Sequence, residues 1–191
     1  MEKKVADIGG ECLLVSVGRR VPWLFALLLL GFVVSLSVGL FESVVRELPL
    51  IVAFQSLILG MAGNVGTQSL AVTVRELGAG KHGGRLALIV REGGIALVSG
   101  LLIGMSSFLI VGGYLTLIGG YSSGIAFGTA FCVGLALTLS MAVSGLTGAL
   151  IPTVFEGIGI DPAVASGPLI TTVNDLVAVF GYYGLALLFF R

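Results

Sequence analysis

Asp175 is the residue of this chain with the clearest chemical potential, because it is the one charged residue between Pro162 and Phe190, in an otherwise apolar stretch. An ionised carboxylate at mid-membrane depth costs roughly 2.5–3.5 kcal/mol on insertion scales, so such a residue usually lines an ion pathway. Two other uses stay open for Asp175, a protonated carboxyl hydrogen-bonded within a helix bundle and a proton relay.

Polar and small residues recur every four positions in two apolar segments, and this spacing places them on one face of a helix. The first segment has Gly60, Asn64 and Gln68, with Gly63 and Thr67 beside them. The second has Gly167, Thr171 and Asp175, with Thr172 and Asn174 beside them. Oxygen ligands with no His or Cys nearby suit a hard cation, Mg²⁺ or Ca²⁺. Hydrogen bonding between helices is the alternative use of the amides.

One carboxylate per chain is too little to remove the water shell of Mg²⁺, because that ion dehydrates reluctantly and usually keeps several waters. We therefore expect a hydrated ion held through its waters. A two-fold oligomer would bring two copies of Asp175 together around a central pore and double the negative charge.

Glu92 is a second candidate, at the start of the third apolar stretch. It is either a charge in the vestibule of a pore or an ion-pair partner of Arg91 or Arg85, and the sequence leaves both open. No Ser/His pair or paired carboxylates occur at one membrane depth, so we expect no enzymatic activity.

The elements that must position these groups are membrane-spanning helices. The chain has 191 residues, of which 57% are hydrophobic and 10% charged, and its mean hydropathy is +1.13. A span takes about 20 residues, and the charge-free stretch 93–155 is about three times as long, so it must turn back, within residues 112–124. The predicted fold class is an all-α integral membrane protein with five spans at 22–41, 49–76, 86–112, 124–153 and 164–190.

Basic residues predict the orientation. With a cytoplasmic N-terminus, every Lys and Arg except Arg46 and Arg191 lies inside, in agreement with the positive-inside rule. We therefore divide the chain into a short cytoplasmic segment, residues 1–20, and a five-helix pore domain, residues 21–191. Residues 1–20 are too few to bury a core of their own, and we expect no nucleic-acid partner.

Two motifs connect the chain with a known family. The first is the run GNVGTQS at 63–69, and the second is DPA at 161–163 followed by GPLITTVND at 167–175. In this order and spacing they resemble the transmembrane domain of MgtE-type magnesium channels over nearly the whole chain. The resemblance implies a homodimer in the lipid bilayer, with a pore along the two-fold axis between the second and fifth helices. Mg²⁺, bound with its waters, is then the transported ion.

The resemblance also assigns residues. Asp175 is similar to the pore aspartate of the family, and the carbonyl near Thr171 to a supporting ligand. The polar faces and the pore mouth complete the predicted ion-binding set with Gly63, Asn64, Thr67, Gln68, Asn174 and Glu92. Family members commonly have an N-terminal helical domain, a CBS pair and a connecting helix that sense magnesium. Residues 1–20 stand in their place, so we expect no gating domain on this chain.

The sequence is also compatible with two other functions. One is a secondary carrier that exchanges Mg²⁺ or another divalent cation against Na⁺ or protons, since a midplane site between helices serves carriers and channels alike. The other is a non-transporting membrane assembly subunit, which would have no need for a mid-membrane Asp opposite a row of amides.

Overall fold

A computed structural model describes residues 13–80, 84–162 and 167–190. Within these ranges the chain is all-helical and has no strand. Its helices are α1 (Leu13–Gly39), α2 (Glu42–Glu47), α3 (Pro49–Ala53), α4 (Gln55–Gly78), α5 (Arg85–Leu117), α6 (Ser123–Gly157) and α7 (Gly167–Phe190). Helices α1 and α4–α7 are long and apolar enough to cross a membrane, which confirms the prediction of five spans. Most of the predicted segment 1–20 lies outside the described residues.

Helix α1 starts earlier than the predicted span 22–41. Its first described residue is Leu13, so Arg19, Arg20 and Pro22 all belong to the helix. The long apolar side chains of α1 are largely exposed, and its packing contacts are mainly with α7. In a bilayer such a surface faces lipid, so α1 lies at the edge of the helix bundle.

The predicted span 49–76 is divided in two. Pro49 begins the five-residue helix α3, and at Phe54 the backbone (φ −97°, ψ 0°) leaves helical geometry before α4 starts. The break removes the helical hydrogen bond that the carbonyl of Ile51 would accept from residue 55. This carbonyl accepts the N–H of Phe54 at 3.1 Å and the buried hydroxyl of Tyr182 at 2.7 Å, and the hydroxyl of Tyr183 donates to Gln55 Oε1. The bends around α2 and α3 are therefore fixed by α7.

The chain reverses between α5 and α6, as the glycine-rich segment predicts. Helix α5 ends at Leu117, and Gly120 adopts a positive φ of 68° that favours glycine. Helix α5 has 33 residues, so it is about 50 Å long and exceeds the ~30 Å hydrocarbon layer. Both ends of α5 therefore reach into the headgroup regions.

Helix α6 is the most buried span and lies at the centre of the bundle. Small residues let its neighbours approach closely. A Cβ on Gly104 of α5 would lie 2.5 Å from the carbonyl oxygen of Gly134, and Thr138 of α6 donates its hydroxyl to the carbonyl of Gly100 at 3.0 Å. Helix α6 thus holds α5 on one side and α4 with α7 on the other sides.

Candidate functional site

The candidate site is a groove of about 430 Å³ between α4 and α7. Its lining residues are Ser56, Leu59, Gly60, Gly63, Asn64, Thr67, Thr171 and Asp175. Asp175 is the one ionisable side chain among them. The structure therefore brings together five residues of the predicted ion-binding set, Gly63, Asn64, Thr67, Thr171 and Asp175.

Glycines on facing positions allow α4 and α7 to lie close together at the groove. A Cβ on Gly63 would lie 3.1 Å from Cγ2 of Thr171, and one on Gly167 would lie 3.5 Å from Cγ2 of Thr67. A larger residue at position 63 would separate the two threonines. The spacing of four on both helices thus builds one shared wall with alternating glycine and threonine.

The threonine hydroxyls of the groove are oriented by their own helices. Thr67 Oγ1 donates to the carbonyls of Gly63 at 3.1 Å and Asn64 at 2.9 Å, and Thr171 Oγ1 donates to the carbonyl of Gly167 at 3.0 Å. A hydroxyl has one hydrogen and two lone pairs, so these oxygens can act only as acceptors toward the groove. Acceptors fit a cation or the hydrogens of its water shell.

The groove opens on the outer surface of the described helix bundle. Ser56, Gly60 and Asn64 are exposed, and Asp175 is half-buried. Asp175 belongs to a helix that is long enough to cross the membrane. A carboxylate that faces lipid at this depth is costly, so the groove needs water or a second protein surface to cover it.

Asn174, another residue of the predicted set, lies away from the groove. Its side chain is 1% exposed, and its Oδ1 accepts a hydrogen bond from Thr147 of α6 at 2.7 Å. Its Nδ2 has no hydrogen-bond partner in the described part of the chain and faces Gly66 of α4. The structure places Asn174 in the interface of α4, α6 and α7, where it corresponds to the interhelical use of the amides.

Gln68 and Glu92, the remaining predicted residues, line a different cavity. This cleft of about 430 Å³ lies between α4 and α5, and its polar lining residues are Asn64, Gln68, Ser69, Arg75, Arg91, Glu92 and Ser99. Glu92 is 5% exposed. Arg85, one of its two suggested partners, pairs with Glu156 of α6 at 3.0 Å instead. Asn64 lines both the groove and the cleft.

Ser56 and Leu59 line the groove but were absent from the predicted set. Ser56 has a signal in the sequence, because it continues the spacing of four from Gly60 and Asn64 by one more step. The helix α4 starts at Gln55, so this row begins in its first turn. Leu59 has no such signal, since apolar residues are frequent on every face of a span.

The chain has relatives among known proteins. The family model MgtE, described as a divalent cation transporter, matches residues 55–185. A protein of Enterococcus faecalis named Magnesium transporter MgtE is 39% identical over 180 residues, which are 93% of this chain and 38% of that protein. Proteins of the same name from Bacillus subtilis and Thermus thermophilus are 34% and 32% identical, over 92% and 87% of this chain. The chain spans less than two-fifths of the length of these relatives.

Proposed function

Because the chain belongs to the MgtE family of divalent cation transporters, we propose that it is the pore-forming part of a magnesium channel. The family consists of membrane transporters, not enzymes, and the five long apolar helices agree with this. In the proposed channel, Mg²⁺ passes with its waters along the groove between α4 and α7. The N-terminus lies in the cytoplasm, as the distribution of Lys and Arg favours.

The observation that supports this proposal is the single carboxylate of Asp175 in a groove that otherwise offers neutral acceptors. A divalent cation in a low-dielectric layer needs negative charge nearby. The hydroxyl oxygens of Thr67 and Thr171 can accept hydrogen bonds from the ion's waters, because their own hydrogens are donated to the helix backbone. These groups fit a hydrated ion better than a bare one, which would need a full inner shell of oxygens.

A homodimer completes this site. Each groove is open on the outer face of its protomer, and a two-fold axis through the open side would face two copies of Asp175 toward each other. The pair would double the negative charge along the pore and remove both carboxylates from lipid. Cysteine pairs placed along the groove face of α7 should therefore form disulfides between copies. A protein that stays monomeric in mild detergent and in lipid would contradict the shared pore.

The main test is Asp175→Asn, which keeps the shape and removes the charge. We expect Mg²⁺ uptake into liposomes to fall by at least about ten-fold, since the desolvation of the cation is no longer offset. The protein should still fold, because an amide is less costly to bury than a carboxylate.

Glu47→Gln is the matched control for this test. Glu47 is an exposed carboxylate outside the groove, at the end of α2, so the same chemical change there should leave uptake within about two-fold, as surface changes usually do. Near-normal uptake by well-folded Asp175→Asn protein would exclude Asp175 from the ion pathway and leave the assembly-subunit function. Uptake that saturates and requires a Na⁺ or proton gradient would favour the carrier, whereas single-channel currents would exclude it.

A further inference from the structure

The cleft between α4 and α5 combines both signs of charge in one cavity. Helices α4 and α5 touch each other little, because each packs against α6, whose Met141 lines the cleft. A space of about 430 Å³ remains between them. The polar groups described above lie together with apolar side chains, of which Met61, Val65, Val72 and Ile95 come from the two flanking helices.

Glu92 is the acidic residue among those that line this cleft. It is 5% exposed, and it has no hydrogen bond or ion pair with any residue in the described part of the chain. A carboxylate that lines a cavity and has no protein partner needs water or a ligand to donate hydrogen bonds to it. The cleft therefore favours a ligand that brings hydrogen-bond donors, preferably with positive charge, to Glu92.

Two arginines indicate that the ligand also has a negatively charged group. Arg75 of α4 and Arg91 of α5 are exposed, come from opposite walls and line the same cleft. Guanidinium groups are well suited to phosphate, which they bind through two parallel hydrogen bonds. A free divalent cation would be repelled by both arginines, and a purely anionic ligand would be repelled by Glu92. A zwitterion with adjacent phosphate and ammonium groups matches all three charges.

The position of the cleft relative to the membrane indicates which molecule carries such a zwitterionic group. Arg75 lies three residues before the end of α4 and Arg91 six residues after the start of α5, or about 5 and 9 Å along these helices. Since α5 is about 20 Å longer than the hydrocarbon layer is thick, this end lies among lipid headgroups. Val65 and Met61 lie farther from the charged end of α4, where an acyl chain would run.

We propose that this cleft binds the headgroup of an aminophospholipid, with the phosphodiester between Arg75 and Arg91 and the primary ammonium on Glu92. Gln68 and Asn64 offer amide oxygens to the same ammonium. Phosphatidylethanolamine has this chemistry. Phosphatidylcholine has no N–H to donate, and phosphatidylglycerol has no positive charge. The proposal concerns lipid binding and does not depend on ion conduction.

The test uses the full chain, purified in mild detergent, stripped of lipid and incubated with equal amounts of the three phospholipids before gel filtration. We expect the protein fraction to contain at least about five-fold more bound phosphatidylethanolamine than bound phosphatidylcholine. The reason is that the ammonium of phosphatidylethanolamine can form charge-assisted hydrogen bonds. Equal retention of these two lipids by the wild-type protein, or preferred retention of phosphatidylglycerol, would overturn the proposal.

Single substitutions test the contacts to the ammonium and to the phosphate separately. Glu92→Gln should reduce the retention of phosphatidylethanolamine to the level of phosphatidylcholine. Arg75→Gln should lower the retention of both lipids, and it is a safer substitution for folding because Arg75 is exposed. Arg46→Gln is the matched control, since Arg46 is an exposed arginine bonded to Glu42 of its own helix, and it should change nothing. An unchanged lipid preference in folded Glu92→Gln and Arg75→Gln proteins would contradict the site.

Two further measurements test the occupant. Glycerophosphoethanolamine at millimolar concentration should displace the lipid only weakly, because it lacks the acyl chains that the apolar wall contacts. Complete displacement would instead assign the site to a soluble phosphoethanolamine compound and overturn the lipid assignment. The substitutions Val72→Cys and Ile95→Cys should not crosslink two copies of the chain. An efficient disulfide between copies would show that a second copy fills the cleft and would overturn the proposal.

Discussion

The groove around Asp175 and the cleft around Glu92 lie on two faces of the same helix, α4, and have the same volume of about 430 Å³. Each has one carboxylate, and Asn64 contributes to both. They differ in their basic residues, because the groove has none and the cleft has Arg75 and Arg91. A carboxylate therefore favours a different ligand in each cavity. Without arginines it suits a divalent cation, and beside two arginines it suits a zwitterion.

The positions of the two carboxylates along their helices also distinguish the groove from the cleft. Asp175 lies eight residues after the first described residue of α7, which has 24 residues, whereas Glu92 lies seven residues after the start of α5, which has 33 residues and exceeds the hydrocarbon layer in length. A mid-membrane carboxylate has a high cost that a transported cation offsets. A carboxylate at the headgroup level can use lipid as its partner. The packed interface of Gly66, Asn174 and Thr147 lies on a third face of α4.

The largest effect is expected from Ser56→Arg, which places an arginine in the groove as the cleft already has. A guanidinium about 8 Å from a divalent ion raises its energy by about 4 kcal/mol at an effective dielectric constant of 20. Allowing for screening, Mg²⁺ uptake into liposomes should fall by at least about ten-fold. Ser56→Gln adds a similar length without charge and should keep uptake within about three-fold. Equal uptake by the two variants would show that ions do not pass Ser56.

The next effect concerns the packed face, with Gly66→Ala. The added Cβ would overlap with Nδ2 of Asn174 and lie 3.1 Å from Cγ2 of Ile170, so α7 must shift away from α4. We expect a loss of about 1–3 kcal/mol in stability, the usual cost of overpacking. Thermal unfolding in detergent measures it. Gly94→Ala on the exposed face of α5 meets nothing within 4 Å and should be neutral or stabilising. Equal melting temperatures would contradict the tight crossing.

The smallest effect distinguishes the interface from the groove, with Thr147→Val. It removes the hydrogen bond to Oδ1 of Asn174, and such bonds between membrane helices contribute about 0.6–1.7 kcal/mol. Thr116→Val is the control, because that hydroxyl bonds only the carbonyl of Gly112 in its own helix. The first variant should melt at a lower temperature than the second. If both melt alike, Thr147 does not hold Asn174 in place.

Much of the candidate site could be predicted from spacing. Residues four apart on a helix share a face wherever the helix lies, so Gly63, Thr67, Thr171 and Asp175 could be grouped from the order of residues alone. Asn174 and Gln68 could not be placed in the same way. Asn174 is next to Asp175 in sequence, and a step of one residue turns about 100° around a helix. Gln68 follows Asn64 by four residues, but each step of four drifts by about 40° around the helix, so the row turns away from the groove. Asn174 therefore faces α6, and Gln68 faces α5.

The sequence by itself determined the five apolar spans, the turn before α6 and the presence of one carboxylate within the last span, because length, hydropathy and charge are properties of a segment alone. Only the tertiary structure decided where α3 ends and α4 begins, since the hydroxyls that stabilise this break belong to Tyr182 and Tyr183 of α7. It also decided that Glu92 and Arg91 of α5 line one cleft together with Arg75 of α4. Both outcomes depend on which helices become neighbours around α6, and no local pattern contains that information.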